Sequence, residues 1–581
     1  MSKKVKPEKP KNVQPQVQNT VPTVDNTPAK AINPMLLRGI LASLIVLYLI
    51  SQFKNIQYPL FWADESMTMM GVKRVMQFGY PKIHDGKNVF YDLRHSNPKL
   101  GMDEKTDAFI GDANWFMYYF GAVSEYFAQS NTDIYFKTGI NRTWFAFIGV
   151  LGLAFFCISG ALLYETTNQK LTYSIVFVAL CLLSVPLQIH LREIRYYPLV
   201  TFFMGSISYL YVSYMYAKCM RIWIYIPLLL ILLFGLYATF SPGYFIIIGA
   251  VSMHQLILFV VDVASKKQVI EALKIKLIDN AVLILSFLSI LPLISFFRTF
   301  EIAKEKESFA QFSSRMYWDN VKNVWSFFAN TELGYLLVVT LILAAVFNKS
   351  FVQKKVLSAV SYFMILFTLY LYLIAKIPNF IFIRYVVAMI PISLVAILLV
   401  IFGLYFGTKN YIRNIALGIL LLFGVHYLFK NSKLLSGHIT EMMTAYKGPL
   451  DEVITYILDK YKKPEELVVA TNYEETTFMY YLNCKATIGY VGNNLDEDSK
   501  ITPDILCYRQ TWGNHMQYFN AFIQSTPYER VSFPIMDLPC NNLPEVNFPN
   551  PLLNHQFKTQ KTDDENRKIS IFIRKDTTSK I

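Results

Sequence analysis

The stretch 389-MIPISLVAILLVIFGLYF-406 runs for eighteen residues without a charge. A bilayer can hold such a run only as a helix, because each backbone N–H and C=O must find its partner inside the segment. Ten further apolar runs share this character, so the predicted spans are 36–53, 140–163, 171–189, 198–217, 222–240, 243–263, 277–297, 333–347, 356–375, 384–406 and 412–429. Charged residues make up 17% of the chain, against about 25% in soluble domains. The expected fold class is therefore an α-helical polytopic membrane protein with about eleven spans. Residues 112–128 are apolar and aromatic but carry Glu125, and they read as a re-entrant or interfacial helix.

Charge sets the expected orientation. The net charge of +14 does not call for a nucleic-acid partner, because much of the excess lies in short loops between spans: 218-KCMR-221, 266-KKQVIEALKIK-276, 348-NKSFVQKK-355 and 408-TKNYIR-413. The positive-inside rule places these loops in the cytoplasm, together with a disordered basic tail, residues 1–34. An odd number of spans then sends the C-terminus to the opposite, extracytoplasmic face of the plasma membrane. That face receives the long first loop, 54–139, and everything after the last span.

From about residue 431 the composition turns soluble. Helical 451-DEVITYILDKYKK-463, strand-like 467-LVVAT-471, helical 474-EETTFMYYL-482, strands near 486–491 and 504–508, a helix near 517–525 and strand-like 569-ISIFIR-574 alternate. The pattern predicts an α/β domain over 431–581, behind a transmembrane module over 35–430. No glycine-rich nucleotide motif is present. Of the cysteines, Cys484, Cys507 and Cys540 fall in this domain, and three can form at most one pair.

Three clusters carry chemistry. Asp64 and Glu65 open an amphipathic stretch just after the first span, where acidic residues either act or stabilise a helix start. His190, Arg192, Glu193, Arg195, Tyr196 and Tyr197 crowd the turn after the third span. Interfacial anchoring accounts for the two tyrosines and poorly for Glu193. Arg384, followed by Tyr385, lies within 376-KIPNFIFIRYVVAMIP-391, where a guanidinium either snorkels or meets a lipid phosphate.

The order of these motifs, an acidic pair after span one, 192-REIRYYP-198 after span three and 384-RY-385 with Pro391 late in the chain, resembles the GT-C superfamily of membrane glycosyltransferases. The likeness is strongest to the bacterial branch of protein O-mannosyltransferases and lipid A aminoarabinose transferases. Tyr118 and Tyr119 in 114-NWFMYYFGAV-123 and Arg142 in 141-NRTWFAF-147 extend it. The branch usually has a proline pair before the two tyrosines; here Ala113-Asn114-Trp115-Phe116 stands instead, so the acceptor is not inferred from the family.

The resemblance implies a polyprenyl-phosphate sugar donor and transfer to an acceptor hydroxyl, on a protein, lipid A or a glycan, by single displacement with inversion. Asp64 is then the expected base, with Glu65 and Glu193 orienting the acceptor or binding a cation. Arg192, Arg195 and Arg384 would hold the donor phosphate. Tyr118, Tyr119, Tyr196, Tyr197 and Tyr385 would line the substrates. No cofactor is assigned; a divalent metal fits oxygen ligands on these loops, and His84 and His95 could serve zinc, although scattered histidines are more often surface residues. The C-terminal domain is expected to hold or screen the acceptor, with 471-TNYEETTFMYY-481 read as an ordinary helix start. A transporter of lipid-linked sugars and a non-catalytic membrane assembly protein are the alternatives.

Overall fold

The computed structural model describes residues 33–90, 101–103, 105–111, 115–265, 269–348, 354–377, 381–407, 410–490, 495–510, 512–538 and 555–580. Most of the predicted basic tail, His95, Ala113, Asn114 and Cys540 lie outside the described residues.

Each predicted span overlaps a helix, although 171–189 is broken into two, α5 and α6. In chain order the membrane module contains α1 (Pro34–Phe53), α2 (Ala63–Phe78), α3 (Phe116–Ala128), α4 (Ile134–Ala161), α5 (Thr167–Leu183), α6 (Val185–His190), α7 (Tyr196–Val212), α8 (Ile222–Thr239), α9 (Ser241–Ala264) and α10 (Val269–Phe296). It continues with α11 (Thr299–Phe309), α12 (Ser314–Thr331), α13 (Gly334–Val346), α14 (Lys354–Ile374), α15 (Met389–Gly407) and α16 (Asn410–Met443). Among the described residues, seven helices are long and apolar enough to cross a membrane, and nine if each of two bent pairs counts as one span. The bends join α10 to α11 at 55° and α12 to α13 at 90°. The difference from eleven has local causes: α5 and α7 each hold only 17 residues. α5 stops where Ser184 turns extended ahead of Pro186. The 112–128 segment does form a helix, α3, of 13 residues, too short to span.

α15 forms the centre of the bundle, 83% buried along its apolar window, while α1 is 17% buried and lies outermost. α4 and α7 cross backbone to backbone. A Cβ on Gly152 would stand 2.6 Å from the Phe202 nitrogen, and one on Gly205 2.4 Å from the Gly152 carbonyl oxygen. Small residues permit such an approach, and the dispersion gained replaces the hydrophobic drive that lipid cannot supply.

The C-terminal region adds α17 (Pro449–Lys460), α18 (Glu475–Leu482), α19 (Leu495–Asp498) and α20 (Met516–Ser525). Its strands follow a small hairpin in the first loop, β1 (Met102–Asp103) with β2 (Ala108–Phe109). They are β3 (Val468–Thr471), β4 (Lys485–Ile488), β5 (Ile505–Cys507), β6 (Tyr528–Met536) and β7 (Lys568–Arg574), in the order β4-β3-β5-β7-β6. β3 pairs in parallel with both β4 and β5, and β7 runs antiparallel to β5 and β6. β6 is the strand that sequence reading misses. It carries Pro534 and a register irregularity between Ser532 and Met536, both tolerated because it is an edge strand. Cys484 and Cys507 are buried free thiols, each pushed up to about 12 by burial, and are chemically quiet.

Candidate functional site

The site gathers where α1 ends, α4, α7 and α15 begin, and α5, α14 and α16 finish, so a single end of the bundle receives it. Trp62, extended and without a side-chain cap bond, starts α2, and Asp64 and Glu65 occupy the first turn. The two carboxylates part there. Glu65 is wholly buried and takes both prongs of the Arg142 guanidinium, Nε to Oε1 at 2.9 Å and Nη2 to Oε2 at 2.6 Å. The Ile194 amide also donates to it, at 3.1 Å, which ties α2 to the turn before α7. Asp64 keeps 24% of its side chain exposed and faces two guanidinium groups. Arg384 Nη2 stands 3.0 Å from its Oδ2 and Arg195 Nη2 3.6 Å. Stabilisation of a helix start therefore does not account for the pair.

Arg384 is buried and ringed by aromatic faces, with Phe382 at 4.2 Å, Trp62 at 4.9 Å and Tyr385 at 5.5 Å from its central carbon. This contact and the Asp64 carboxylate offset the cost of burying its charge. Arg195 donates to Thr68 Oγ1 at 3.1 Å, which locks it against α2. Tyr196 stacks on Phe240 at 5.0 Å, and Tyr197 lies 4.5 Å from Tyr196 and 6.5 Å from Tyr385. Glu193 bonds His190 Nδ1 through one oxygen at 2.8 Å. Its other oxygen has no hydrogen-bond partner among the described residues, nor has Trp62 Nε1.

The remaining predicted residues lie elsewhere. Tyr118 is buried against Gly71, where an added Cβ would meet its ring at 2.5 Å. Tyr119 is exposed and donates to the Gly79 carbonyl at 2.7 Å, at the far end of α2. Arg192 is not among the partners of Asp64; its contact is with the Lys54 carbonyl at 3.5 Å, and it faces a cavity. Burial lowers it to about 10, against the pull of Glu441. His84 Nδ1 accepts from the Gly86 amide at 2.8 Å. Among the described residues no group of three or more His, Cys, Asp and Glu could hold a metal ion.

The cavity, about 90 Å³, lies between the two parts of the molecule. Trp62, Glu193 and Arg192 line it from the membrane module, Glu441 from the overlong end of α16, and Glu474 and Arg509 from the C-terminal sheet. β4 sits on one side of β3 and β5 on the other, so Glu474 and Arg509 follow the carboxyl ends of the two strands flanking the topological switch point. Open α/β sheets bind ligands at that point. Arg509 is wholly buried, bonds Asp537 Oδ1 at 2.6 Å and pairs with Glu474. On the opposite wall His555 Nε2 and His438 Nδ1 converge on Glu441 Oε2 at 3.1 and 3.6 Å. Sequence reading misses all of these. Their separations exceed 100 residues in places and follow no local period; the polar density of 471–481 is the one trace that could have found Glu474.

No family model and no curated protein matches the chain. Among solved structures it is similar to ArnT from Cupriavidus metallidurans, in the apo state and bound to undecaprenyl phosphate. Each comparison gives 10% identity and a TM-score of 0.49, over 93% of this chain and 98% of that one.

Proposed function

We propose that this chain is an integral membrane glycosyltransferase that moves a sugar from a polyprenyl-phosphate carrier to an acceptor hydroxyl at the extracytoplasmic face of the plasma membrane. One observation carries the reading. A part-exposed carboxylate, Asp64, is held by two buried guanidinium groups, Arg384 and Arg195, from distant parts of the chain.

A phosphodiester donor offers those guanidinium groups the same two-pronged acceptor that Asp64 offers. On arrival it competes for them, and Asp64 turns from salt-bridge partner to free base. The acceptor oxygen then attacks the anomeric carbon, and its proton passes to Asp64. The bond from that carbon to the phosphate oxygen breaks, and polyprenyl phosphate leaves with its charge held by Arg384 and Arg195. One displacement inverts the anomeric carbon. Glu65 has its oxygens filled by Arg142 and acts by fixing Asp64 and the 192–195 turn in register. Glu193, with one oxygen uncommitted, orients the acceptor. The cavity between Trp62 and the sheet is the acceptor's side, and Tyr196, Tyr197 and Tyr385 flank the donor. Tyr118 supports α2 from beneath, and Tyr119 lies outside the reacting centre.

The test is a deletion strain complemented with wild type or Asp64→Asn, with envelope lipids and glycans read by mass spectrometry. A sugar-bearing product restored by wild type and absent with Asp64→Asn is expected, while the purified variant binds undecaprenyl phosphate within about threefold of wild type. Full restoration by Asp64→Asn would remove Asp64 as base.

A further inference from the structure

We infer that the C-terminal domain sets the position of the acidic pair, and that Thr477 and Thr476 of α18 are its positioning residues. The catalytic half of this statement rests on the function proposed above; the structural half does not.

The segment entering α2 has few bonds from its own neighbourhood: the Tyr58 amide on the Asn55 carbonyl at 3.1 Å, and Ser66 Oγ within reach of the Trp62 and Ala63 carbonyls at 3.1 and 3.0 Å. Its cap residue, Trp62, makes no side-chain bond to the open amides of the helix start, where orphan donors normally require partners. Most of what holds it comes from far down the chain. Asn55 donates to the Met442 carbonyl at 2.8 Å and the Thr444 carbonyl at 3.1 Å. The Leu60 amide donates to Asp451 Oδ1 at 3.2 Å, and the Phe61 amide to the Tyr481 hydroxyl at 3.0 Å. Thr477 Oγ1 donates to the Phe61 carbonyl at 3.1 Å and Thr476 Oγ1 to the Ala63 carbonyl at 3.3 Å. Both hydroxyls also meet Ser66 Oγ, at 3.0 and 2.7 Å, two residues after Asp64 on the same helix and on its buried side. Lys73 Nζ closes the row on the Tyr480 carbonyl at 3.0 Å.

From the opposite side Arg142 takes the carbonyls of Ile56 at 3.1 Å and Pro59 at 2.6 Å while it grips Glu65. Asp64 is thus carried by a segment clamped between the membrane helix α4 and the soluble helix α18. Ser66, Thr476 and Thr477 are all buried, so each lost hydroxyl leaves a polar partner without water to replace it. A shift of about an ångström in a reacting group can cost on the order of a hundredfold in rate, so the clamp bears on turnover and not only on folding.

The test uses the full-length protein in lipid nanodiscs, as wild type, Thr477→Val, Thr477→Ser and Ser66→Ala. Hydrogen exchange is followed in peptides covering 59–68, with 568–574 of the sheet as reference. Thr477→Val is expected to exchange about tenfold faster over 59–68 with the reference unchanged, and Thr477→Ser to return to within about twofold of wild type. Ser66→Ala reaches the same contact from the membrane side and is expected to match Thr477→Val. In the transfer assay Thr477→Val lowers kcat by about ten- to a hundredfold, with undecaprenyl phosphate affinity within about threefold. Exchange unchanged over 59–68 in both Thr477→Val and Ser66→Ala overturns the inference. So does acceleration spread equally over the sheet, because that reports loss of the domain. If wild type performs no transfer while the exchange result stands, the glycosyltransferase reading fails and the clamp survives.

Discussion

Asp64 and Glu65 are adjacent in the chain and opposite in circumstance: one carboxylate is shared between two guanidinium groups and reaches solvent, the other is sealed against a single arginine. Arg384, which holds Asp64, and Arg192, which does not, invite a direct comparison. Arg384→Ala is expected to weaken undecaprenyl phosphate binding at least about tenfold, and Arg384→Lys to recover little of it, because an ammonium cannot present the planar fork. Arg192→Ala is expected to leave that affinity within about threefold and to act on the acceptor instead. Titration of lipid into the purified variants decides between them. That Asp64, Arg195 and Arg384 belong together was legible from sequence, since charges beside apolar runs are costly and need partners. That Arg192 faces the other way was not: Arg192 and Arg195 straddle a turn, and no periodicity tells which way each side of a turn points.

Among the elements, α4 and α7 carry Arg142 and the Arg195–Tyr197 turn respectively, so their crossing sets the distance between the two halves of the site. Gly152→Val is expected to separate them. Overpacking costs about 1–3 kcal/mol in an ordinary core, and here the clash is with backbone, at 2.6 Å from the Phe202 nitrogen. Folded yield by size-exclusion chromatography and the thermal midpoint should both fall. α17 supplies a second measurement. Burial raises the Asp451 carboxyl to about 7, although the Leu60 and Gly448 amides pull it down. The folded protein thus binds this proton more tightly than the unfolded chain, whose Asp ionises near about 3.9. The resulting stability is full below about pH 4 and is lost as pH rises towards about 7. Between pH 5 and 7.5 the thermal midpoint of wild type should therefore fall more than that of Asp451→Asn. Helix existence was readable from hydropathy, but extent was not. α16 runs past the predicted limit of 429 to Met443, because beyond the apolar stretch it continues on tertiary contacts, His438 to Gln188 at 3.1 Å among them.

Across the whole molecule, one end of the bundle bears the site and the soluble sheet, and α8 and α14 begin at the other, beside Arg221 and at Lys354. An alkaline phosphatase reporter, active only outside the cytoplasm, should work when fused after Ile581 and fail when fused within 348–355. The reverse result would invert the proposed topology. The C-terminal domain is itself braced by a buried charge cluster, Arg509 with Glu474 and Asp537. Arg509→Met, which strands Glu474 and Asp537, is expected to cost about 3–5 kcal/mol and to lower the denaturant midpoint of the C-terminal domain. Four of the sheet's five strands were visible in advance, β3, β4, β5 and β7 as short apolar runs, whereas β6, with Pro534 and the charged pair Glu529–Arg530, gives no such run. The clamp on residues 55–63 also sets an order of events during synthesis. A ribosome releases the acidic pair first and α18 more than 400 residues later, so the nascent protein sits in the bilayer with its spans inserted and Asp64 unplaced. On the proposed function, the centre becomes competent only when the last domain has folded and docked, which would spare the lipid carrier from half-built copies.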